Sequence, residues 1–171
     1  MESLAAKSSL PRLGLAILAA LVVMVPTAMA AEDPAVVEAR KVYREQVEPI
    51  CKKSTEDNSR VLKGVEAQVN NGALVPAGKR FIRASNIFGT AVAKLAKVPR
   101  PSADASTLKE WIGYLTEERS LLQKIGQALK AKKENKARTF ATSLNRTNKK
   151  ANNAVIEFEF HHCEIDSSKF L

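Results

Sequence analysis

Apolar residues recur at spacings of three and four along most of the chain after Asp33, which is the period of an amphipathic α-helix. This pattern predicts four helices, at about 34–70, 76–97, 106–131 and 134–157. Because the predicted connections are short, consecutive helices must run antiparallel. The sequence therefore predicts an all-α fold, an up-down-up-down four-helix bundle, with two less regularly packed helical hairpins as the alternative.

The first helix has well-marked boundaries. Asp33 is a favourable N-cap residue, and Pro34 suits the first helical position. Asn70-Asn71-Gly72 ends the helix. Pro49 lies inside it and predicts a kink or a restart, because proline lacks the backbone donor and clashes with the preceding turn. The apolar positions of this helix are Val36, Tyr43, Val47, Ile50, Cys51, Val61, Leu62, Val65 and Val69.

The other three helices also carry apolar stripes, which are typical of a packed core rather than of a cofactor site. The segment VPRP (98–101) ends the second helix, and Asp104 or Ser106 caps the third. The inward positions are Phe81, Ser85, Phe88, Val92 and Leu95 in the second helix, Leu108, Trp111, Ile112, Leu115, Leu122, Ile125 and Leu129 in the third, and Phe140, Leu144, Ala151, Ala154 and Val155 in the fourth.

Residues 1–30 have the features of a signal peptide. Lys7 and Arg12 precede the apolar run LGLAILAALVVMV (13–25), and AMA (28–30) supplies the small residues of a cleavage site. An uncleaved anchor is the alternative, but thirteen apolar residues are fewer than the roughly 20 that span a bilayer. Cleavage leaves residues 31–171 as one domain without a transmembrane segment, which we expect to be secreted or otherwise extracytoplasmic, at the cell envelope.

The two cysteines, Cys51 and Cys163, are predicted to form a disulfide, because exported chains lie in an oxidising compartment. If the first and fourth helices start level at their shared loop end, Cys163 lies about 15 Å too far along. A disulfide requires Cα atoms about 4.4–6.8 Å apart. We therefore expect the fourth helix to end before Phe160 and the tail to turn back towards Cys51. Residues 34–46 would then project below the bundle or pack along its end.

Several of these segments together resemble a known group of proteins. Tyr43 and Cys51 in the first helix are followed by KVPRP (97–101), LKEWIGYL (108–115), QALKAKKENKA (127–137) and the near-terminal Cys163. This arrangement is similar to that of uncharacterised small exported all-helical proteins of actinobacterial type. The resemblance implies export, a helical fold and the disulfide, and it implies no activity.

The tail offers candidate metal ligands. His161, His162 and Cys163 are residue types that bind zinc or copper, and Glu157, Glu159, Glu164 and Asp166 lie nearby. Adjacent residues of a helix or strand point in different directions, so His161 and His162 would not both bind one metal without an irregular backbone. The alternative to a weak metal site is a pair of surface histidines beside a disulfide, and we expect no resident cofactor.

Positive charge is concentrated in two of the four helices. The net charge is +9 for the whole chain and +6 for each of the ranges 71–103 and 132–150, whereas 33–70 and 104–131 each sum to zero. In a simple bundle the two basic helices are diagonal, and seven cations share one loop end. They form a candidate contact for anionic envelope polymers or lipid headgroups, with a merely solubilising surface as the alternative. These seven residues are Lys79, Arg80, Arg83, Lys132, Lys133, Lys136 and Arg138.

The sequence favours a non-enzymatic role. There is no Cys-x-x-Cys-His, no glycine-rich phosphate loop and no Gly-x-Ser-x-Gly elbow. Specific nucleic-acid binding is disfavoured, because most of the nine aromatic residues fall in the apolar stripes. The leading hypothesis is an exported helical protein that binds anionic envelope components. Metal binding through the two histidines and a holdase-type chaperone with an exposed apolar face are the alternatives.

Overall fold

The computed structural model describes residues 32–164, so the predicted signal peptide lies outside the described residues. All described residues belong to one compact unit that begins at Glu32. They form the predicted all-α up-down-up-down bundle, and no helix within them is long and apolar enough to cross a membrane. The elements are α1 (Pro34–Leu62), α2 (Val65–Asn70), α3 (Leu74–Leu95), a 3-10 turn (Ser102–Asp104), α4 (Ala105–Lys130), α5 (Glu134–Ala154) and a second 3-10 turn (Ile156–Phe158).

The most extensive helix–helix contacts follow the order of the long helices along the chain. The helix α3 packs against α1 and α4, and α4 packs in turn against α5. The backbones of α3 and α4 approach most closely at Gly78 and Gly126. A Cβ atom at Gly78 would lie 2.5 Å from the carbonyl oxygen of Gly126, and one at Gly126 would lie 2.7 Å from that of Gly78. Glycine at both positions therefore permits this contact.

The core consists of two apolar clusters, one in each half of the bundle. The cluster at the end where α1 begins contains Tyr43, Val47, Cys51, Phe88, Val92, Leu95, Leu108, Trp111, Leu115, Ala151, Val155, Phe158, Phe160 and Cys163. The cluster at the opposite end contains Leu62, Val65, Ala77, Phe81, Ala84, Leu121, Ile125, Ala128, Leu129, Ala137 and Leu144.

The predicted first helix is divided into two. Asp33 caps α1 by accepting a hydrogen bond from the backbone N–H of Ala35, as expected. The helix then continues through Pro49 without a restart and ends at Leu62. Gly64, with φ of 75°, takes a left-handed conformation that a helix interior does not allow, and α2 begins at Val65. The predicted stop at Asn70 is the end of α2.

The other boundaries differ from the prediction by a few residues. The helix α3 begins at Leu74, because Pro76 is tolerated in a first turn, where its missing N–H has no helical acceptor. Asp104 precedes α4 but does not cap it through its side chain, which binds Arg40 instead. The helix α5 ends at Ala154, three residues before the predicted 157, and therefore before Phe160 as expected.

The disulfide between Cys51 and Cys163 is present, with 5.0 Å between the Cα atoms. After α5 the chain reverses at Glu159, whose φ is 50°, and returns to Cys51. Its aromatic side chains at 158 and 160 enter the core between α1 and α4, where the ring centroids of Trp111 and Phe160 lie 5.3 Å apart. In the early part of α1, Arg40, Tyr43 and Arg44 contact this returning segment.

Candidate functional site

The predicted cationic site lies at the end of the bundle that carries the α2–α3 and α4–α5 connections, here called the loop end. The first turns of α3, the last turn of α4 and the first turns of α5 meet there. Gly78 is level with Lys130, because a Cβ atom on Gly78 would lie 2.8 Å from the backbone nitrogen of Lys130. The helix register therefore brings cations from α3, from the α4–α5 connection and from α5 to one end.

Three of the seven predicted cations make contacts with the protein itself. The Arg80 guanidinium donates a hydrogen bond to the carbonyl oxygen of Lys63 at 2.6 Å, which satisfies an acceptor at the end of α1. Arg138 pairs with Glu134 at 2.6 Å. The Lys136 ammonium lies 5.9 Å from the ring centroid of Phe140, at the distance of a cation–π contact. These three side chains stabilise local structure and are less available to a ligand.

The other four predicted cations are Lys79, Arg83, Lys132 and Lys133. All four are exposed, and within residues 32–164 none of them forms an ion pair. We call this group the free cations of the loop end.

Two further exposed lysines, Lys63 and Lys130, lie at the same end and were missed by the sequence analysis. Lys63 follows α1 directly, and Lys130 is the last residue of α4. The signal that would have revealed them is their position at helix ends that share one end of the bundle. Cations are also favourable at helix C-termini because of the helix dipole.

Both connections at the loop end use the same backbone turn. At the end of α4 the N–H of Lys133 bonds the carbonyl oxygen of Ala128, and the N–H of Lys132 bonds that of Leu129. This is a Schellman motif, in which the residue after the C-cap is left-handed. Lys132 takes that position with φ of 57°, so the motif fixes the backbone from which Lys132 and Lys133 project.

A groove of mixed polar and apolar lining opens between α2 and α5. Its cavity volume is about 240 Å³. Phe81, Ile125 and Leu129 line it, and Arg138, Glu134 and Glu66 are the charged residues in its wall. Since the wall holds two carboxylates and one guanidinium, the groove itself has no preference for anions.

The tail is held by side chains that share one face of α1. Arg40, Arg44, Glu48, Cys51 and Thr55 are spaced by three or four residues, and each contacts the tail. From Arg40 to Cys51 the order of contacts follows the order of the tail, so the segment 157–163 runs parallel to α1. No local sequence signal distinguishes this polar face from an ordinary exposed helix face.

Each contact in this row has a defined partner. Arg44 donates to the backbone carbonyl of Phe158 at 3.2 Å and pairs with the Glu159 carboxylate at 3.3 Å. The two carboxylate oxygens of Glu48 accept hydrogen bonds from consecutive backbone N–H groups, those of His161 and His162. A carboxylate that accepts two N–H bonds fixes the local backbone firmly.

Arg40 links the tail to the start of α4. Its guanidinium makes two hydrogen bonds to the buried Asp104 carboxylate, at 2.8 and 3.0 Å, and lies 3.4 Å from the Glu157 carboxylate. The bond to Asp104 raises the pKa of Arg40 above its ordinary value. Beneath it, burial raises the pKa of the Tyr43 phenol to about 12. Both groups therefore keep one charge state at physiological pH.

The predicted metal ligands are not brought together as a set. The imidazoles of His161 and His162 are exposed, and Cys163 is in the disulfide. The Glu157 and Glu159 carboxylates are paired with Arg40 and Arg44, and Asp166 lies outside the described residues. Within residues 32–164 no three His, Cys, Asp or Glu side chains are positioned around a common metal site.

Large exposed apolar side chains are scattered in the part of the chain that the structure describes. They are Val37 and Val42 on α1 and Ile156 after α5. The holdase hypothesis, which requires an extended apolar face, stays a prediction.

The disulfide indicates an oxidising, extracytoplasmic environment, because intramolecular disulfides are rare in the cytosol. In comparisons with known proteins, no family model, no curated protein and no solved structure matches this chain.

Proposed function

We propose that this protein is exported and acts without catalysis, by binding anionic components of the cell envelope through its loop end. The ligands would be phosphate-bearing wall polymers or the headgroups of anionic lipids. The observation that supports this proposal is the group of free cations, Lys79, Arg83, Lys132 and Lys133, which have no acidic partner within the described residues. Uncompensated cations on one surface attract polyanions over about a Debye length.

The physical basis of the binding is additive electrostatic attraction. Each lysine or arginine close to an anionic membrane surface contributes about 1 kcal/mol. Four such residues would contribute about 4 kcal/mol, which corresponds to roughly a thousandfold in affinity at low salt. The contacts require no deep pocket, since the charges of a polymer or bilayer surface are distributed over a wide area.

The test replaces the four free cations by glutamine and measures adsorption to vesicles that contain phosphatidylglycerol. The wild-type protein is expected to bind these vesicles and to be released by salt, because exposed charges are screened. The Lys79→Gln, Arg83→Gln, Lys132→Gln, Lys133→Gln variant is expected to lose most of this binding. Isolated wall material is the second surface to be tested, and it separates lipid from polymer as the preferred source of negative charge.

A matched control neutralises four exposed lysines at the other end of the bundle. Lys94 and Lys97 lie in and just after the last turn of α3, and Lys149 and Lys150 lie in the last two turns of α5. The two variants have the same net charge, so a difference in binding reports the position of the charges. The control is expected to retain most of the binding. Equal loss in both variants would contradict a localised site, and unchanged binding in the loop-end variant would contradict the proposed function.

A further inference from the structure

The two apolar clusters of the core are separated by a layer of buried polar side chains. On each long helix buried polar residues lie between the positions that belong to the two clusters. These residues are Ser54 on α1, Ser85 on α3, Glu118 on α4, and Thr147 and Asn148 on α5. We call this set the polar layer, and it divides the bundle near its middle.

The unusual member of the layer is Glu118, whose relative exposure is 2%. A glutamate is almost never fully buried unless it is paired with a cation, yet within residues 32–164 no ion pair includes Glu118. The side-chain amide of Asn148 donates a hydrogen bond to its Oε1 at 3.3 Å. The hydroxyls of Ser54 and Ser85 have no hydrogen-bond partner among the described residues.

Such a site favours the neutral carboxyl group. A buried carboxylate without a cation loses its hydration, whereas the protonated group is less costly to bury and is itself a donor. Burial raises the pKa of Glu118 to about 7, opposed by the hydrogen bond from Asn148 and increased by the negative charge of Glu117. From the neighbouring helices, α3 contributes Ser85 to the layer, and α5 contributes Thr147 and Asn148, all of which are uncharged.

We propose that the polar layer is a proton-controlled switch of bundle packing. While the Glu118 carboxyl carries its proton, α4 and α5 pack closely through the layer, and the two halves of the core act as one unit. When the proton is lost, the buried negative charge draws water towards the layer and loosens the contact of α5 with α4. This inference concerns the fold alone, and it stands or fails independently of anion binding at the loop end.

The direction of the pH effect follows from proton linkage. Below the ordinary pKa of 4.5 the carboxyl is protonated in both the folded and the unfolded chain. Ionisation of Glu118 then does not lower the free energy of unfolding. Between pH 4.5 and about pH 7 the folded protein holds a proton that the unfolded chain releases, so stability falls as pH rises. Above that range we expect no further loss, with the unfolding equilibrium constant about two orders of magnitude higher than below pH 4.5.

The test compares the wild-type protein with Glu118→Gln. Glutamine resembles the protonated side chain and has no ionisable proton. Unfolding by urea is measured from pH 4 to pH 9. The unfolding constant of the wild-type protein is divided by that of Glu118→Gln, and this ratio is plotted against pH. We expect this ratio to rise about tenfold per pH unit between pH 5 and pH 7 and then to level off. Glu45→Gln, at an exposed position on α1, is the control and is expected to keep the wild-type slope.

A second measurement tests the structural half of the proposal in the whole protein. The carboxyl resonance of Glu118 and the side-chain amide resonance of Asn148 are followed by NMR, with hydrogen-exchange protection factors of α5 at pH 5.5 and pH 8. We expect both resonances to shift with one midpoint between pH 6 and pH 8, and the protection of α5 to fall at the higher pH. Parallel profiles for wild type and Glu118→Gln, a Glu118 midpoint below pH 5, or unchanged α5 protection would each overturn the proposal.

Discussion

At the residue scale, the two turns of the loop end have the same backbone geometry. They differ in the residue that takes the left-handed position after the C-cap. Gly72 follows the C-cap of α2 with φ of 74°, and Lys132 follows that of α4 with φ of 57°. Glycine takes this left-handed conformation without a steric penalty, whereas a residue with a Cβ atom loses about 1 kcal/mol. The turn after α4 is therefore less stable with lysine at position 132 than it would be with glycine there.

We expect Lys132→Gly to stabilise the protein by about 0.5–1 kcal/mol. Glycine takes the left-handed conformation without steric cost, and this gain is only partly offset by the larger entropy of glycine in the unfolded chain. The reverse change at the matching position, Gly72→Ala, should destabilise by about 1 kcal/mol. No heavy atom lies within 4 Å of a Cβ added at Gly72, so its effect is one of backbone conformation. Urea denaturation measures both variants, and destabilisation by Lys132→Gly would contradict this account.

Residue identity also explains where the sequence-based prediction was accurate. The predicted inward residues Phe81, Ser85, Phe88, Val92 and Leu95 are all buried. Helical periodicity alone decides which face of α3 is covered, so this result required no knowledge of its neighbours. Glu118 was missed, although it lies midway between Leu115 and Leu122 in the apolar stripe of α4, because a charged residue in a stripe is usually taken to be exposed.

At the element scale, the tail is the segment whose position depends most on side-chain contacts. It has little regular structure after the 3-10 turn that ends at Phe158. Its backbone is attached to α1 by the Glu48 carboxylate and by Arg44, and its aromatic side chains are buried in the core. The polar face of α1 thus replaces the hydrogen bonds that a helix or a sheet would have supplied to this segment.

Replacing Glu48 by glutamine should weaken this attachment. A glutamine side chain keeps the length of glutamate but is uncharged and has one oxygen. Of the two N–H groups of His161 and His162, one therefore keeps only a neutral acceptor and the other loses its acceptor. We expect a loss of about 1 kcal/mol in stability and faster hydrogen exchange at these two amides. Glu45→Gln, an exposed position one turn earlier, is the control. Equal exchange rates in wild type and Glu48→Gln would show that the carboxylate does not hold the tail.

At the scale of the whole molecule, the disulfide joins the middle of α1 to the tail across a sequence separation of 112 residues. Both cysteines are buried, and they belong to the same apolar cluster as Phe158 and Phe160. The cross-link therefore fixes the tail over the core and also restricts the unfolded chain. In the chain-entropy model a loop of about 100 residues corresponds to about 4.7 kcal/mol.

We expect the Cys51→Ala, Cys163→Ala double variant to lose about 3–5 kcal/mol of stability, with the largest increase in hydrogen exchange along the tail. Alanine is chosen because serine would bury a hydroxyl group at each site. A reducing agent should lower the free energy of unfolding of the wild-type protein by a similar amount, measured by urea denaturation. It should leave the stability of the double variant unchanged. A loss below about 1 kcal/mol would contradict a stabilising role for the cross-link.

The sequence by itself determined the helices, their apolar faces and the pairing of Cys51 with Cys163. These features depend on local periodicity, and on the rule that the two cysteines of a chain in an oxidising compartment pair. The requirement that the fourth helix end before Phe160 also came from arithmetic on chain length. A feature can be predicted from local sequence when its cause lies within a few residues. It can also be predicted when chain length alone limits the distance between two residues.

Only the tertiary structure decided which polar residues meet. The row on α1 that holds the tail, the polar layer around Glu118, and the division of the loop-end cations into engaged and free groups all depend on contacts between distant segments. Arg80 and Lys79 are adjacent in sequence, yet one bonds the end of α1 and the other is free. Such partners are set by how the helices are packed, and the periodicity of a single helix carries no information about them.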